Sequence, residues 1–412
     1  MLKKFYNHVM QDSLYRNSVY LMASTLITAM FGFVFWIMNA RLFRPEQIGI
    51  ATAILSATTL ITQFSLLGLK NGIIRYLPGS IDKDKQINTG SNVITIFTAA
   101  LSIIYLLCIP LFSSKLLFLQ DNFLYAVLFV VFVTSFTLNQ LQEGIFIAYR
   151  STGYVFIKNA LWGVLKVALP LFIISFGAFG VFFAASFGSV ISFLLGLYYL
   201  IAKFRYKVSP LIDMGVVKQI GKFSFGDYLG IFFAELPYFV IPLLIINYIG
   251  AKDSAYYYIS LQISALLYVI PAATTQSLFA EGSNDVESLK HHLKKAFLLI
   301  LFLLVPAILI TIFLGDFVLK IFGTLYAVNG LRFLQLLALA GVFVAINNIG
   351  SAVVHIKKKI HLYVLLNFIS GGLMIFFSII FLPYHLVGIG YAWLIGQGVS
   401  AIIYLLLLRK ML

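Results

Sequence analysis

The chain is built from a succession of apolar runs, each close to the length that crosses a membrane, with very little between them. They fall at 17–39, 48–69, 91–113, 122–148, 158–178, 180–202, 222–247, 254–278, 294–314, 330–354, 360–381 and 386–408. A helix needs about 20 apolar residues to span the hydrocarbon. Hydrophobic residues make up 61% of the sequence and charged residues 10%, a balance that excludes a soluble globular protein. The fold class that follows is an all-α polytopic membrane protein with about twelve transmembrane helices. No connection is long enough to hold a separate soluble domain. The N-terminal run after Lys3, Lys4 and Arg16 is too long for a signal-peptide core and has no small-residue cleavage pattern behind it, so it reads as a retained span.

The net charge of +15 has a simple source in such a chain. Loops on the cytoplasmic side collect Lys and Arg, so a basic total needs no nucleic-acid partner. Alternate connections carry nearly all the cations here. The other set holds only Arg41, Arg44, Lys115, Lys252, Lys320 and Arg332. That asymmetry predicts both termini in the cytoplasm. The longest connection, Lys203 to Gly221, falls at mid-chain and divides a lobe at 1–202 from a lobe at 222–412, with 203–221 as a cytoplasmic linker. The turn Asn247–Tyr256 stands where Ala40–Gly49 would recur. A shift by six spans keeps orientation, so the expected arrangement is two six-helix lobes related by a parallel pseudo-twofold repeat, with a cleft between them.

One stretch carries more than hydropathy. From Asn39 to Pro78 a charged connection of residues 40–47 joins the first two spans into a hairpin. Its pattern is Arg41-Leu42, then Pro45-Glu46 and Gly49. The second span closes on Gly68-Leu69, then Gly72-Ile73-Ile74-Arg75-Tyr76. These residues resemble the polysaccharide-biosynthesis flippases, the O-antigen (Wzx-type) translocases of the multidrug/oligosaccharidyl-lipid/polysaccharide exporter superfamily. The resemblance implies a transporter, not an enzyme, in the bacterial cytoplasmic (inner) membrane. It would carry an undecaprenyl-pyrophosphate-linked oligosaccharide from the inner to the outer leaflet by alternating access. Its implied partners are that lipid-linked substrate, the membrane lipids, a coupling ion (H+ or Na+) and other polysaccharide assembly proteins. A cation-coupled multidrug exporter of the same superfamily is the alternative. A membrane glycosyltransferase or polymerase is a weaker one, because the outer loops are short.

The residues themselves agree with a transporter. No hydrolytic or transferase constellation is present, and no cofactor or metal site is expected. Gly215 to Phe223 imitates a phosphate loop but has the wrong spacing, and Phe223 where a magnesium-binding hydroxyl belongs. The single cysteine, Cys108, excludes an internal disulfide. An ionisable group inside a span costs roughly 2.5–3.5 kcal/mol on insertion scales, so such groups are functional candidates. Asp227 and Glu235 lie on span seven with Pro237 and Pro242, and are the coupling or gating candidates. Lys70, Arg75, Lys158 and Lys166 are the candidate contacts for the pyrophosphate or sugar that the resemblance implies. Glu143 is expected at the inner surface, paired with Arg150. Tyr256, Tyr257 and Tyr258 are expected in an aromatic belt. Asp285–Phe297 reads as an interfacial helix opened by Asn284 and Glu287. Hydroxyls in the first two spans, among them Ser24, Thr52, Thr62 and Ser65, either line a polar path or bond helix to helix.

Overall fold

Hydrocarbon offers a backbone no hydrogen-bond partner, so each apolar run satisfies its own N–H and C=O groups by coiling. The structure, a computed structural model, describes residues 13–112, 114–284, 289–357 and 359–411. The side chains at 13–15, 111–112, 220–227, 280–284 and 410 lie outside the described residues. The helices are α1 (Ser13–Leu42), α2 (Pro45–Leu66), a short α3 (Leu69–Tyr76), α4 (Lys83–Phe112), α5 (Phe123–Ala148), α6 (Gly153–Ala168), α7 (Gly177–Phe204), α8 (Met214–Tyr248), α9 (Ala251–Asn284), α10 (Leu289–Phe322), α11 (Thr324–Ile356), α12 (Ile360–Phe381) and α13 (His385–Met411). Eleven segments are long and apolar enough to cross a membrane, and the last, Ile360–Arg409, contains both α12 and α13. The chain is therefore an all-α, multi-pass membrane protein, with twelve long helices among the described residues.

Helices overrun the apolar runs that announced them. Hydropathy marks the part in hydrocarbon, whereas a helix continues until a cap or a turn stops it. The hairpin connection is accordingly not residues 40–47 but Phe43 and Arg44 alone. Pro45 takes the first helical position of α2, where its missing N–H costs nothing. The Arg44 N–H donates to Gln47 Oε1 at 3.1 Å, half of a capping box. The expected interfacial helix is likewise corrected. Residues 285–288 and the Asn284 side chain lie outside the described residues, and 289–297 are the opening turns of α10 itself. Leu289, Ala296, Ile300 and Leu304 form one buried stripe through that junction.

The chain forms two compact units. One comprises Met1–Phe43 and Ala57–Phe225, the other Arg44–Ser56 and Gly226–Leu412. In the first, Leu66, Ile73, Ile87, Ile94, Leu141, Ile145 and Leu200 make a continuous core. In the second, α11 is central and packs on α9, α10 and α13. Tyr256 and Tyr257 are buried against Tyr326 and Phe333, at ring separations of 5.4 and 5.2 Å. They are core residues, not a belt, because α9 begins five residues before them at Ala251.

The non-helical part of the 203–221 stretch is 205–213, and it is strapped along α4. Asp84, Asn88 and Asn92 recur every four residues on one helix face. Asn88 Oδ1 accepts from Tyr206 OH (2.5 Å) and Ser209 N–H (2.8 Å), and its Nδ2 donates to the Lys207 carbonyl (2.9 Å). Asn92 Nδ2 reaches the carbonyls of Ser209 (2.8 Å) and Leu211 (3.0 Å). Thr89 Oγ1 accepts from Asp213 N–H at 3.1 Å, and Lys85 pairs with Asp213 at 2.6 Å.

Candidate transport sites

Two breaks shape the motif stretch. Leu67 and Gly68 both adopt positive φ, 47° and 75°, which ends α2 and starts α3 in a new direction. A residue with a Cβ is strained there, which accounts for Gly68. Gly72 is buried one turn on, and Arg75 stays exposed with its guanidinium 5.8 Å from the Tyr76 ring. At the other end of α2, a Cβ on Gly49 would overlap the Ala251 carbonyl, so the glycine permits close approach of α2 and α9. Glu46 pairs with Lys252 at 3.1 Å, and Ser254 Oγ lies 3.4 Å from Thr52 Oγ1. Pro45, Glu46 and Gly49 are thus explained by packing and capping. Arg41 is exposed at the end of α1.

The first unit has a polar interior. Lys158 on α6 is wholly buried, and its ammonium donates to Gln142 Oε1 at 2.8 Å and to the Asn139 carbonyl at 3.5 Å. Gly196 on α7 makes the room, since a Cβ there would fall on Gln142 Oε1. One residue along α5, Glu143 accepts from Lys70 Nζ (3.0 Å) and from Asn159 Nδ2 (3.1 Å). Asn159 Nδ2 also lies 3.0 Å from Ser24 Oγ on α1. The expected Glu143–Arg150 pair is corrected. Arg150 follows Tyr149, the C-cap of α5, with φ 51° and is exposed, while Glu143 lies two turns inside and meets α3 instead. Lys166 differs from Lys158. It is partly exposed, and its ammonium stands 4.6 Å from the Phe35 ring centre and 5.9 Å from that of Trp162. No carboxylate pairs with it among the described residues. Of the hydroxyls in the first two spans, Ser24 bonds across helices as above, and Thr62 meets Thr137 at 2.9 Å.

The second unit holds a polar cavity of about 210 Å3. Glu235 and Tyr238 of α8 line it with Asn347 and Ser351 of α11, Asn367 and Ser370 of α12, and Gln397 of α13. Pro237 and Pro242 lie inside α8. A proline has no N–H, so each leaves the carbonyl four residues earlier without its helical donor. For Pro237 that carbonyl is Phe233, and a Cβ on Gly371 would overlap it, so α12 approaches α8 at that point. For Pro242 it is Tyr238, a cavity residue. Asn347 Nδ2 donates to Gln397 Oε1 at 2.5 Å, and Gln397 Nε2 reaches Met374 Sδ at 3.1 Å. Asn347 Oδ1 and Asn367 Nδ2 are buried without a partner among the described residues. The Asp227 side chain lies outside the described residues.

Reading the sequence for ionisable groups missed the carboxamides. Asn139, Gln142 and Asn159 build the first unit's network, and Asn347, Asn367 and Gln397 build the cavity. Their signal was available: a carboxamide in an apolar run also needs buried partners.

Comparison with known proteins places the chain. A Shigella flexneri protein provisionally described as an O-antigen transporter is 24% identical over 375 residues, covering 87% of this chain and 79% of that protein. The structure of the lipid II flippase MurJ in an inward closed conformation superposes with a TM-score of 0.78 at 16% identity, covering 95% of this chain and 87% of MurJ. The inward-facing structure of a multidrug resistance MATE family transporter of the MOP superfamily gives 0.72 at 18%, covering 96% and 98%. The fold is therefore that of the MOP transporters. A profile of polysaccharide biosynthesis proteins matches residues 14–279, well over half the sequence, and the chain belongs to that family.

Proposed function

We propose that this protein is a flippase that carries an undecaprenyl-pyrophosphate-linked oligosaccharide from the inner to the outer leaflet of a bacterial cytoplasmic membrane by alternating access. Both termini face the cytoplasm in this reading, on the charge asymmetry of the connections. The physical need is clear. A hydroxyl moved into hydrocarbon without a partner costs about 4–8 kcal/mol, so a glycan head needs a polar path while its lipid stays in the bilayer. The observation that carries the reading is Lys166. An ammonium within a membrane helix, held over two aromatic faces and pairing with no described carboxylate, is a contact waiting for an anion. A pyrophosphate supplies one. Lys70 and Arg75 on α3 would meet the head at the cytoplasmic side. Lys158 is buried in its own cage and would hold that cage together.

The Glu235 cavity supports ion coupling, with H+ or Na+ as the candidate ion, and it also favours the second reading, a cation-coupled exporter of small molecules. One experiment separates them. Lys166→Gln and Lys166→Arg are compared for translocation of a fluorescent lipid-pyrophosphate glycan in proteoliposomes. Loss of one charge-assisted contact predicts a drop of about 10- to 100-fold for the glutamine, with partial rescue by arginine. Undiminished glycan translocation by Lys166→Gln would remove the carrying observation. Efflux of a cationic drug with no glycan movement would favour the exporter.

A further inference from the structure

An apolar cavity lies in the first unit, away from the polar network. It measures about 280 Å3 and is lined by Leu124, Tyr125 and Leu128 of α5, by Phe176, and by Phe179 and Phe183 of α7. Its construction is local. After α6, single turns at Leu169–Leu171 and Ile174–Phe176 carry the chain round. Gly177 takes φ 56°, and a Cβ on Gly180 would overlap the Ile173 carbonyl, so the connection folds back on the start of α7. Asn122 caps α5 opposite, accepting from Leu124 N–H (3.0 Å) and Tyr125 N–H (3.2 Å). Tyr125 and Phe179 then stack at 3.8 Å and 12°, which fixes one wall. The rim is apolar too: Leu124 is 60% exposed and Phe176 55%.

We infer that this cavity is a binding site for the isoprenoid chain of the substrate proposed above, and the inference rests on that reading. The cavity lies between α5 and α7, both within membrane-length segments, and its lining is wholly apolar. Scaled from an apolar cavity of roughly 150 Å3 that holds six ring carbons, it takes about ten carbons, or two isoprene units. The wall chemistry selects the isoprenoid over a saturated acyl chain. Its planar, methyl-branched alkene units lie flat against the rings of Tyr125, Phe176, Phe179 and Phe183. They also have fewer rotamers to lose on confinement than a polymethylene chain. Gripping the chain here leaves the pyrophosphate and glycan free to move.

The test uses the full-length protein in lipid nanodiscs and farnesyl phosphate carrying a diazirine on its terminal isoprene. Photolabelling should map to peptides within 123–128 or 173–183. Unlabelled polyprenyl phosphate should compete, and hexadecyl phosphate should compete about tenfold less well. Leu128→Trp, which fills the cavity, should lose most of the label with an unchanged thermal midpoint. Leu124→Trp at the exposed rim gives the same readout where the first variant fails to fold. Label elsewhere, equal competition by hexadecyl phosphate, or full labelling of a folded tryptophan variant overturns the inference. Label absent while glycan translocation persists sinks the chain site alone. Label present without any glycan translocation sinks the flippase reading.

Discussion

Asn88→Ala tests the strap that 205–213 forms along α4. The side chain is 3% exposed and makes three hydrogen bonds, to Tyr206 OH, Ser209 N–H and the Lys207 carbonyl. Each is worth about 1 kcal/mol net, and removing them leaves the buried Tyr206 hydroxyl unsatisfied, so about 3 kcal/mol is lost locally. No core side chain is truncated, so the helices should stay folded. At 1.4 kcal/mol per decade, the amides of 205–213 should exchange with solvent about 100-fold faster. Hydrogen exchange by mass spectrometry, in detergent or nanodiscs, reads this directly. Asn92→Ala is the control. Its two bonds come from a partly exposed side chain to carbonyls that water can reach, so about 1 kcal/mol and a fivefold change are expected. Unchanged exchange in Asn88→Ala would refute the reasoning, as would equal loss of protection throughout α4 and α7. The first outcome means that the bonds do not hold the strap, and the second that the strap is not a separable unit.

The other predictions concern the same strap and the two polar interiors. Lys85 beside Asp213, with the Val216 N–H, holds that carboxyl below the usual carboxylate range. A depressed folded value stabilises above the unfolded one. Protection of 205–213 should therefore be flat above about pH 4 and fall as the pH drops below it; a loss between neutral pH and pH 5 would contradict this sign. Gly196→Ala should lower the thermal midpoint, because the new methyl displaces the acceptor of Lys158; overpacking of this kind costs about 1–3 kcal/mol, and an unchanged midpoint would mean that Gln142 relaxes freely. Glu235→Gln should abolish dependence of transport on an imposed ion gradient, and transport that still follows the gradient removes Glu235 from the coupling site.

How much of this was legible follows from what hydropathy can encode. The apolar runs announced the long helices found among the described residues because lipid leaves the backbone no other choice. Helix ends were misread where polar residues extend a helix beyond its apolar run, as at Lys83. The strap was missed although its hydrogen-bonding side chains stand at every fourth residue of α4, since a polar stripe names a face and not what covers it. The same limit separates Lys158 from Lys166. They share one helix eight positions apart, yet one is sealed among carboxamides and the other stands on aromatic faces. Only the packing of α1, α5 and α7 around α6 decides which is which.

That difference in surroundings orders the chemistry. The intramembrane charges of the first unit are Lys158, Lys166 and Glu143, with Lys70 against Glu143, and Lys166 is left without a described anion. In the second unit the cavity charge is Glu235, set among carboxamides and hydroxyls. Under the proposed function, an anionic head and a coupling cation would have separate seats on one chain. Changes at Lys166 should alter the concentration dependence for glycan lipid and leave the ion dependence intact, and changes at Glu235 should do the reverse. If either substitution moved both, the two seats would be one, and the assignment of anion to the first unit and cation to the second would fail.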